Sequence, residues 1–321
     1  MAAGFVAMCA ASCSSETGQH PSSVKTHRPN LTDVAIGTYP GQSGLFAVAT
    51  ADDGRVQWSF DLASWSAGDT PGGPVLRTVS AGPSGYLIGG DGFRLTVCTP
   101  SYKGCQYADG SGGAYRASAF CGSTFYVVGD KGIIANIAGP GASSSSQGTT
   151  DTDVMVGVAC SPTTVVVVSS NDATYSGPIG GTVARTPGTG KSCAVAYGNG
   201  VFVAAKVDGT IATSPDGKTW ATAATAQWSD ADTCDAAFGG GTFVIATSKG
   251  DLRTSADGKT WTRFDYGATT PFAGVALDSA GKMLAVGNAV AVEGTCSGGS
   301  CTQAKTHEIL VEEIQSGDAG K

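Results

Sequence analysis

The sequence predicts an all-β protein folded as a seven-bladed β-propeller of four-stranded antiparallel blades. Three observations lead to this fold class: the composition, a strand pattern that repeats about every forty residues, and a hairpin motif that occurs twice with one residue changed. The 321 residues include 48 Gly, and Val, Thr, Ser and Ala outnumber Leu. Because β-branched residues favour strands and Gly favours tight turns, this composition indicates many short strands joined by turns.

The repeated strand contains one large apolar residue in each copy, which marks its position along the chain. Successive copies are about forty residues apart, at Phe46, Tyr86, Phe125, Val165, Phe202, Phe243 and Met283. Four-stranded units of this period are typical of propeller blades, in which small twisted sheets bury one another's faces. A solenoid is the alternative. The number of units, the all-β composition and the polar turns favour the closed ring.

The hairpin motif has the sequence SPDGKTW at 214–220 and SADGKTW at 255–261, with a degenerate copy, SFDLASW, at 59–65. Asp-Gly between strand residues is a strong hairpin signal, because Gly adopts the positive φ that such turns need. On these residues the chain resembles the Asp-box, or BNR-like, repeat family, whose pattern is Ser-x-Asp-x-Gly-x-Thr-Trp. Both full copies are one residue shorter than that pattern.

The resemblance implies a structural turn between the third and fourth strands of a blade. The carboxylate and hydroxyl would accept turn N–H groups, and the Trp would pack at the blade edge. A catalytic or Ca²⁺-binding role for Asp216 is disfavoured, since the turn offers too few oxygen ligands. The residues so marked are Ser214, Asp216, Gly217, Thr219 and Trp220; Ser255, Asp257, Gly258, Thr260 and Trp261; and Asp61 and Trp65.

Eight of the ten cysteines fall at matched offsets in the repeat, which predicts four disulfides. Two would cross the hairpins that correspond to the Asp-Gly turns, and two would join neighbouring blades. The predicted pairs are Cys98–Cys105, Cys296–Cys301, Cys121–Cys160 and Cys193–Cys234. Metal ligation is the weaker interpretation, because no CxxC occurs and no His accompanies the cysteines. Disulfides imply an oxidising compartment.

The N-terminal residues 1–13 resemble the end of a bacterial lipoprotein signal, in which small residues ("AAS" here) precede a lipidated Cys, Cys13. We expect residues 14–30 to form a disordered tether, 31–315 the propeller and 316–321 a disordered tail. The predicted location is extracytoplasmic, as an outer-membrane lipoprotein at the cell surface or in the periplasm. A lipid would be the sole anchor, because no run approaches the ~20 apolar residues of a membrane span.

The Asp-box resemblance raises the sialidases, whose chemistry needs an arginine triad, an Asp acid/base, and a Tyr nucleophile activated by Glu. Glu is missing between Glu16 and Glu293, and His between His27 and His307. The sequence therefore predicts no catalytic residues, no metal site and no cofactor. Six arginines could converge on one face, as the arginine triad of that resemblance would require, but nothing in their spacing indicates it: Arg55, Arg77, Arg94, Arg116, Arg185 and Arg253. The acidic run Asp230, Asp232 and Asp235 is interpreted as a solvated turn rather than a cation site.

The net charge of −7, with no basic cluster, argues against nucleic acid as a partner. Propellers bind ligands at a channel mouth that is built from loops. We therefore expect a monomeric binding, assembly or scaffolding module for a protein or glycan at the cell envelope. The alternative is a carbohydrate-active enzyme that uses Asp alone. Two carboxylates about 5 to 10 Å apart beside Arg or aromatic residues at the channel mouth would favour the enzyme.

Overall fold

The structure is a computed structural model that describes residues 24–38, 44–68, 73–99, 113–147, 149, 152–267 and 269–314. It confirms the predicted seven-bladed β-propeller: six sheets have four antiparallel strands, and the second blade has three strands within the described residues. The fourth strand predicted for that blade falls on residues 100–112, outside the described part. One 3₁₀ turn, Asp130–Gly132, interrupts the strands of the third blade.

The strands are numbered along the chain and, within each blade, run from the channel outward. The first strand is β1 (Val24–His27), and blade 1 consists of β2 (Leu31–Thr38), β3 (Leu45–Ala51), β4 (Val56–Ser59) and β5 (Ser66–Ala67). Blade 2 consists of β6 (Leu76–Gly82), β7 (Gly85–Gly90) and β8 (Leu95–Cys98), and blade 3 of β9 (Tyr115–Cys121), β10 (Thr124–Gly129), β11 (Ile134–Ile137) and β12 (Ser145–Ser146). Blade 4 consists of β13 (Met155–Cys160), β14 (Thr164–Ser169), β15 (Ala173–Pro178) and β16 (Ala184–Pro187), and blade 5 of β17 (Ser192–Gly198), β18 (Val201–Lys206), β19 (Ile211–Ser214) and β20 (Ala221–Ala224). Blade 6 consists of β21 (Cys234–Gly239), β22 (Thr242–Thr247), β23 (Leu252–Ser255) and β24 (Thr262–Arg263), and blade 7 of β25 (Gly274–Leu277), β26 (Lys282–Gly287), β27 (Val290–Ser297) and β28 (Ser300–Glu308), after which β29 (Val311–Ile314) follows.

The second strand of each blade forms the centre of the core. The seven marker residues from the repeat all lie on these strands, and each is at most 1% exposed. The strand β22, TFVIAT, is buried along its whole length because both of its faces contact neighbouring blades. The apolar residues of the described part form seven clusters, one at each junction between blades. The ring is therefore held mainly by blade-to-blade burial.

The ring closes between two complete blades, since β2 of blade 1 packs directly against β25 and β26 of blade 7. Beside this seam, β1 pairs with β29 in an antiparallel two-stranded ribbon, from Val24 opposite Ile314 to His27 opposite Val311. The ribbon contacts β5, the outer strand of blade 1. Residues 24–27 lie within the stretch predicted as a tether, and they form β1 of this ribbon.

Polar contacts reinforce the seam. The N–H of Asn288 donates to Oδ1 of Asn30 at 3.1 Å, and His27 Nε2 lies 3.0 Å from Asp53 Oδ2. Arg28 forms an ion pair with Glu308. These contacts tie the end of β1 to blade 1 and the segment after β1 to blade 7.

Three disulfides are present among the described residues, and they join three of the predicted pairs. Cys121–Cys160 links the inner strands of blades 3 and 4, and Cys193–Cys234 links those of blades 5 and 6. Cys296–Cys301 crosses the hairpin between β27 and β28. Cys98 is also disulfide-bonded, and its predicted partner, Cys105, lies outside the described residues.

Candidate functional site: the central channel and its charged mouth

The seven inner strands run in one direction and enclose a channel of about 440 Å³. Small residues line most of its wall, including Ala117, Gly157, Ala194 and Ala236. Polar side chains concentrate on blades 1 to 3, whereas blades 4, 5 and 7 contribute mainly Ala, Gly and Val. Blade 6 adds one carboxyl, Asp235, to this otherwise apolar side of the channel.

The end of the channel where the inner strands begin is here called the charged mouth, and Arg77 and Arg116 mark it. Each Arg is the second residue of its inner strand and is held by an Asp that follows the second strand of the same blade. Arg77 donates to Asp91 from Nε at 2.5 Å and from Nη2 at 2.9 Å, and Arg116 Nε donates to Asp130 at 2.5 Å. Both arginine side chains remain 36% exposed.

These bonds fix the two guanidinium groups as charged donors. Bonding to Asp91 raises the pKa of Arg77 above its ordinary value. Of the six arginines singled out in the sequence, these two line the channel and its mouth. They belong to neighbouring blades, so a ligand that enters here meets two positioned guanidinium groups, each already paired with one carboxylate.

Two aspartates, Asp33 on β2 and Asp235 on β21, lie deeper in the channel and share one arrangement. Asp33 accepts from the N–H of Val34 at 2.7 Å and from that of Val79, in the next blade, at 2.8 Å. Asp235 likewise accepts from the N–H of the residue that follows it, Ala236, at 2.8 Å. It also accepts from the N–H of Val275, which belongs to the next blade, at 2.8 Å. Each carboxyl thus bridges the inner strands of two neighbouring blades.

Both carboxyls have raised pKa values. Burial, followed by repulsion from Asp235, raises the pKa of Asp33 well above its usual range, although the amide bonds act in the opposite direction. Burial raises the pKa of Asp235 to about 6. The pair therefore carries less negative charge near neutral pH than two ordinary carboxylates would.

The opposite end of the channel is aromatic. Phe120, Tyr197 and Phe238, each near the end of its inner strand, line this exit. Phe238 packs over Gly198 of the preceding blade so closely that a Cβ there would lie 2.1 Å from the ring. The two ends thus differ in chemistry, with charged groups at the mouth and half-buried rings at the exit.

The predicted Asp-Gly turns lie on the exit face, away from the charged mouth, and each joins the third and fourth strands of its blade. Asp216 accepts from the N–H groups of Lys218 and Thr219 at 2.8 Å, and Ser214 Oγ donates to Asp216 at 3.0 Å. The turn at Asp257 repeats these bonds, and Asp61 accepts in the same way from Ala63 and Ser64.

We call these three residues, Asp61, Asp216 and Asp257, the turn aspartates. Backbone N–H bonds are the largest cause that lowers the pKa of each of them. Gly217 and Gly258 have φ of +72° and +70°, and a Cβ on Gly217 would lie 2.2 Å from Val166 of the preceding blade. The geometry is that of a structural turn.

The sequence interpretation missed Asp33 and placed Asp235 in a solvated turn, which is wrong. Asp235 belongs to the inner strand β21 and projects into the channel cavity. Its signal was its place directly after Cys234, at the start of a strand that lines the channel. Asp33 had no comparable signal, because no cysteine at a matched offset stands beside it. Cys13 lies outside the described residues.

The described residues contain neither a cluster of metal-binding side chains nor a candidate membrane-spanning helix. No group of three or more His, Cys, Asp or Glu side chains is placed there to hold a metal ion. Within the same residues, the structure has no helix with the length and apolar character of a membrane span.

The comparisons with known proteins concern the fold. Neither a protein-family model nor a curated protein matches this sequence. The crystal structure of the computationally designed Ika8 protein aligns with a TM-score of 0.55 and 13% identity, over 89% of this chain and 98% of that chain. The structure of YCF48 bound to D1 peptide aligns with a TM-score of 0.63 and 15% identity, over 83% of this chain and 92% of that chain. At these identities the likeness shows that this chain shares the β-propeller fold.

Proposed function

We propose that this protein is an exported, lipid-anchored propeller that binds a partner-protein segment at its charged mouth. It would act as a binding or assembly module at the bacterial cell surface or in the periplasm. The observation that carries the proposal is the pair Arg77 and Arg116, both exposed to solvent and both held in place by carboxylates. Positioned charged donors on regular strands lose little freedom on binding, which favours recognition.

Two further findings support the proposal. YCF48, a propeller of the same fold, has been solved with a D1 peptide, so a propeller of this kind can hold a peptide. The disulfides favour an oxidising compartment outside the cytoplasm. A glycan is the second class of ligand that this mouth would accept.

The lipid anchor and the Asp-box assignment belong to the same proposal. The bonding of the three turn aspartates supports the Asp-box resemblance. The anchor is tested by growing cells with an alkyne-tagged fatty acid: the wild-type chain should take up the label, and Cys13→Ser should not. Equal labelling of both proteins would refute Cys13 as the lipidated residue.

The binding function is tested on peptide and glycan arrays with the full chain carrying Cys13→Ser. Loss of a charge-assisted hydrogen bond costs roughly 1.5 to 3 kcal/mol, so Arg77→Gln and Arg116→Gln should each weaken binding by about 10- to 100-fold. Arg263→Gln is the matched control, because Arg263 is 57% exposed on the outer strand of blade 6. Binding that is absent, or that weakens equally in the control, would contradict the proposal.

The enzyme alternative draws on one observation, the carboxyl pair Asp33 and Asp235 inside the channel. A protonated and an ionised carboxyl are what a glycoside hydrolase needs. Both groups are already bonded to backbone amides of two blades, which favours a structural role. Hydrolysis of an aryl glycoside by the wild type, measured as release of the free phenol and lost in Asp33→Asn and Asp235→Asn, would establish the enzyme instead.

A further inference from the structure

The carboxyl pair Asp33 and Asp235 lines the channel without a basic partner. The two residues lie on the inner strands of blades 1 and 6, and the inner strand of blade 7 runs between them. Among the described residues, no Lys, Arg or His side chain forms an ion pair with either carboxyl. When these groups ionise, the channel therefore carries negative charge that no cation of the described part compensates.

The basic side chains closest along the wall are engaged elsewhere. Arg77 and Arg116, the other charged residues that line the channel, are each paired with an Asp of their own blade. On blade 7, Lys282 of β26 is paired with Glu293. A cation for the carboxyl pair must therefore come from outside the described part of the chain.

Acceptor positions remain for such a cation. An ionised carboxylate offers about four of them, and backbone N–H groups use two on each of Asp33 and Asp235. A further acceptor is Ser80, which follows the residue whose N–H donates to Asp33 Oδ2. Ser80 lines the channel and is 8% exposed, and its Oγ has no hydrogen-bond partner within the described residues. Because a buried hydroxyl without a partner is costly, this site favours a polar group supplied by a ligand.

The opposite wall of the channel selects the kind of cation. Blades 4 and 5 contribute apolar residues there, among them Val156, Ala194 and Val195. A divalent metal ion takes six or more oxygen ligands and gains nothing from such a wall, and the described residues hold no group of three metal-binding side chains. An alkylammonium group suits both walls, since it joins three N–H donors to a flexible hydrocarbon stem.

The pair can be reached from the charged mouth. Asp33 is the third residue of β2 and Asp235 the second of β21, so both lie within about 7 Å of the point where the inner strands begin. On blades 6 and 7 the mouth is lined by Asp232, Thr233 and Ala273, none of which is basic. A cationic side chain that enters on this side meets no positive charge from the mouth lining of blades 6 and 7.

We propose that the channel binds an alkylammonium group between Asp33 and Asp235, with its methylene groups against the apolar wall of blades 4 and 5. The group would be a lysine side chain of the partner segment, so the inference rests on the proposed function and names the residue that this segment inserts. Inside the channel, where the dielectric constant is lower than in bulk water, carboxylates attract an ammonium more strongly than exposed groups do. A bound ammonium would also relieve the repulsion between the two carboxylates.

The test is a titration of the full chain carrying Cys13→Ser with n-butylammonium chloride, which has the four-carbon stem of lysine. Binding is followed by NMR at the amides of Val79 and Val275, which donate to the two carboxyls. We expect saturable shifts, and binding weaker by at least about 10- to 100-fold in Asp33→Asn/Asp235→Asn, which loses charge-assisted hydrogen bonds. Asp208→Asn is the matched control, because this carboxyl lies in an exposed turn after β18 and should leave binding unchanged.

Two further titrants separate an alkylammonium site from a general counterion effect. Tetramethylammonium has no N–H donor and K⁺ has no hydrocarbon stem, so both should bind at least about tenfold more weakly than n-butylammonium. Should the double variant fail to fold, Asp235→Asn alone should weaken binding about tenfold. An absence of saturable shifts, equal binding in the carboxyl variants, or equal binding of K⁺ would overturn the inference.

The titration uses no peptide, so the two proposals can fail separately. Arrays that show binding dependent on Arg77 and Arg116, together with a failed n-butylammonium titration, would remove the lysine site alone. Saturable n-butylammonium binding without any array ligand would leave the channel site in place and remove the peptide-binding function. Array hits enriched in lysine, and weakened by Asp33→Asn/Asp235→Asn, would support both.

Discussion

The two blade-to-blade disulfides should stabilise the protein far more than the hairpin disulfide does. A disulfide mainly restricts the unfolded chain, by an amount that grows with the length of the loop it closes. Cys121–Cys160 and Cys193–Cys234 span 39 and 41 residues, whereas Cys296–Cys301 spans 5. Loops of these lengths correspond to about 4 kcal/mol for each long bridge and about 2 kcal/mol for the short one.

The perturbation is the paired replacement by alanine of each disulfide in turn. The measurement is the free energy of unfolding from guanidinium titrations, followed by intrinsic fluorescence under non-reducing conditions. We expect both long-loop variants to lose roughly twice as much stability as Cys296→Ala/Cys301→Ala. A hairpin variant that loses as much as either blade-to-blade variant would refute the loop-entropy reasoning, and it would indicate that local packing decides the effect.

Three further predictions concern single sites and acid. Asp216→Ala removes two hydrogen bonds from backbone N–H groups and one from a hydroxyl at an exposed turn, so denaturant unfolding should show a free energy of unfolding lower by roughly 1 kcal/mol. Asp208→Ala, which removes one hydrogen bond from a backbone N–H, should lower it by less. Gly198→Ala should cost about 1 to 3 kcal/mol in the same assay because its Cβ meets the Phe238 ring, whereas Gly44→Ala, with open space around it, should cost little. The pKa values of the turn aspartates are lowered in the folded state, so their contribution to the free energy of unfolding is present above the unfolded-state pKa and is lost as pH falls through the folded-state pKa. An acid titration should therefore show stability falling below about pH 4, and the fall should be less steep in a variant with one turn aspartate replaced by Asn.

The blade repeat could be predicted because the second strand has a similar sequence pattern in every blade. Phe202 and Phe243 occupy the same register position in neighbouring blades, and every copy is buried for the same reason. The cysteine pairs followed from that frame, since matched offsets in neighbouring blades lie side by side. A sequence repeat of this kind therefore predicts both the number of blades and the positions at which disulfides join neighbouring blades.

The channel pair and the ribbon could not be predicted in this way. Asp33 and Asp235 are bound by backbone amides of the next blade, and such amides leave no pattern in the sequence. The pairing of β1 with β29 depends on closure of the ring. Contacts to backbone amides and contacts across the seam are thus the features that required the structure.

The ribbon of β1 and β29 makes this chain suited to circular permutation. Val24 lies opposite Ile314, so a short turn can join the two strands as a hairpin. New ends placed in the exposed turn between Asn199 and Gly200 would leave every described strand intact. In such a permuted protein the seam would be a covalent junction, and blade 5 would have to close the ring by pairing β17 with β18 from opposite ends of the chain.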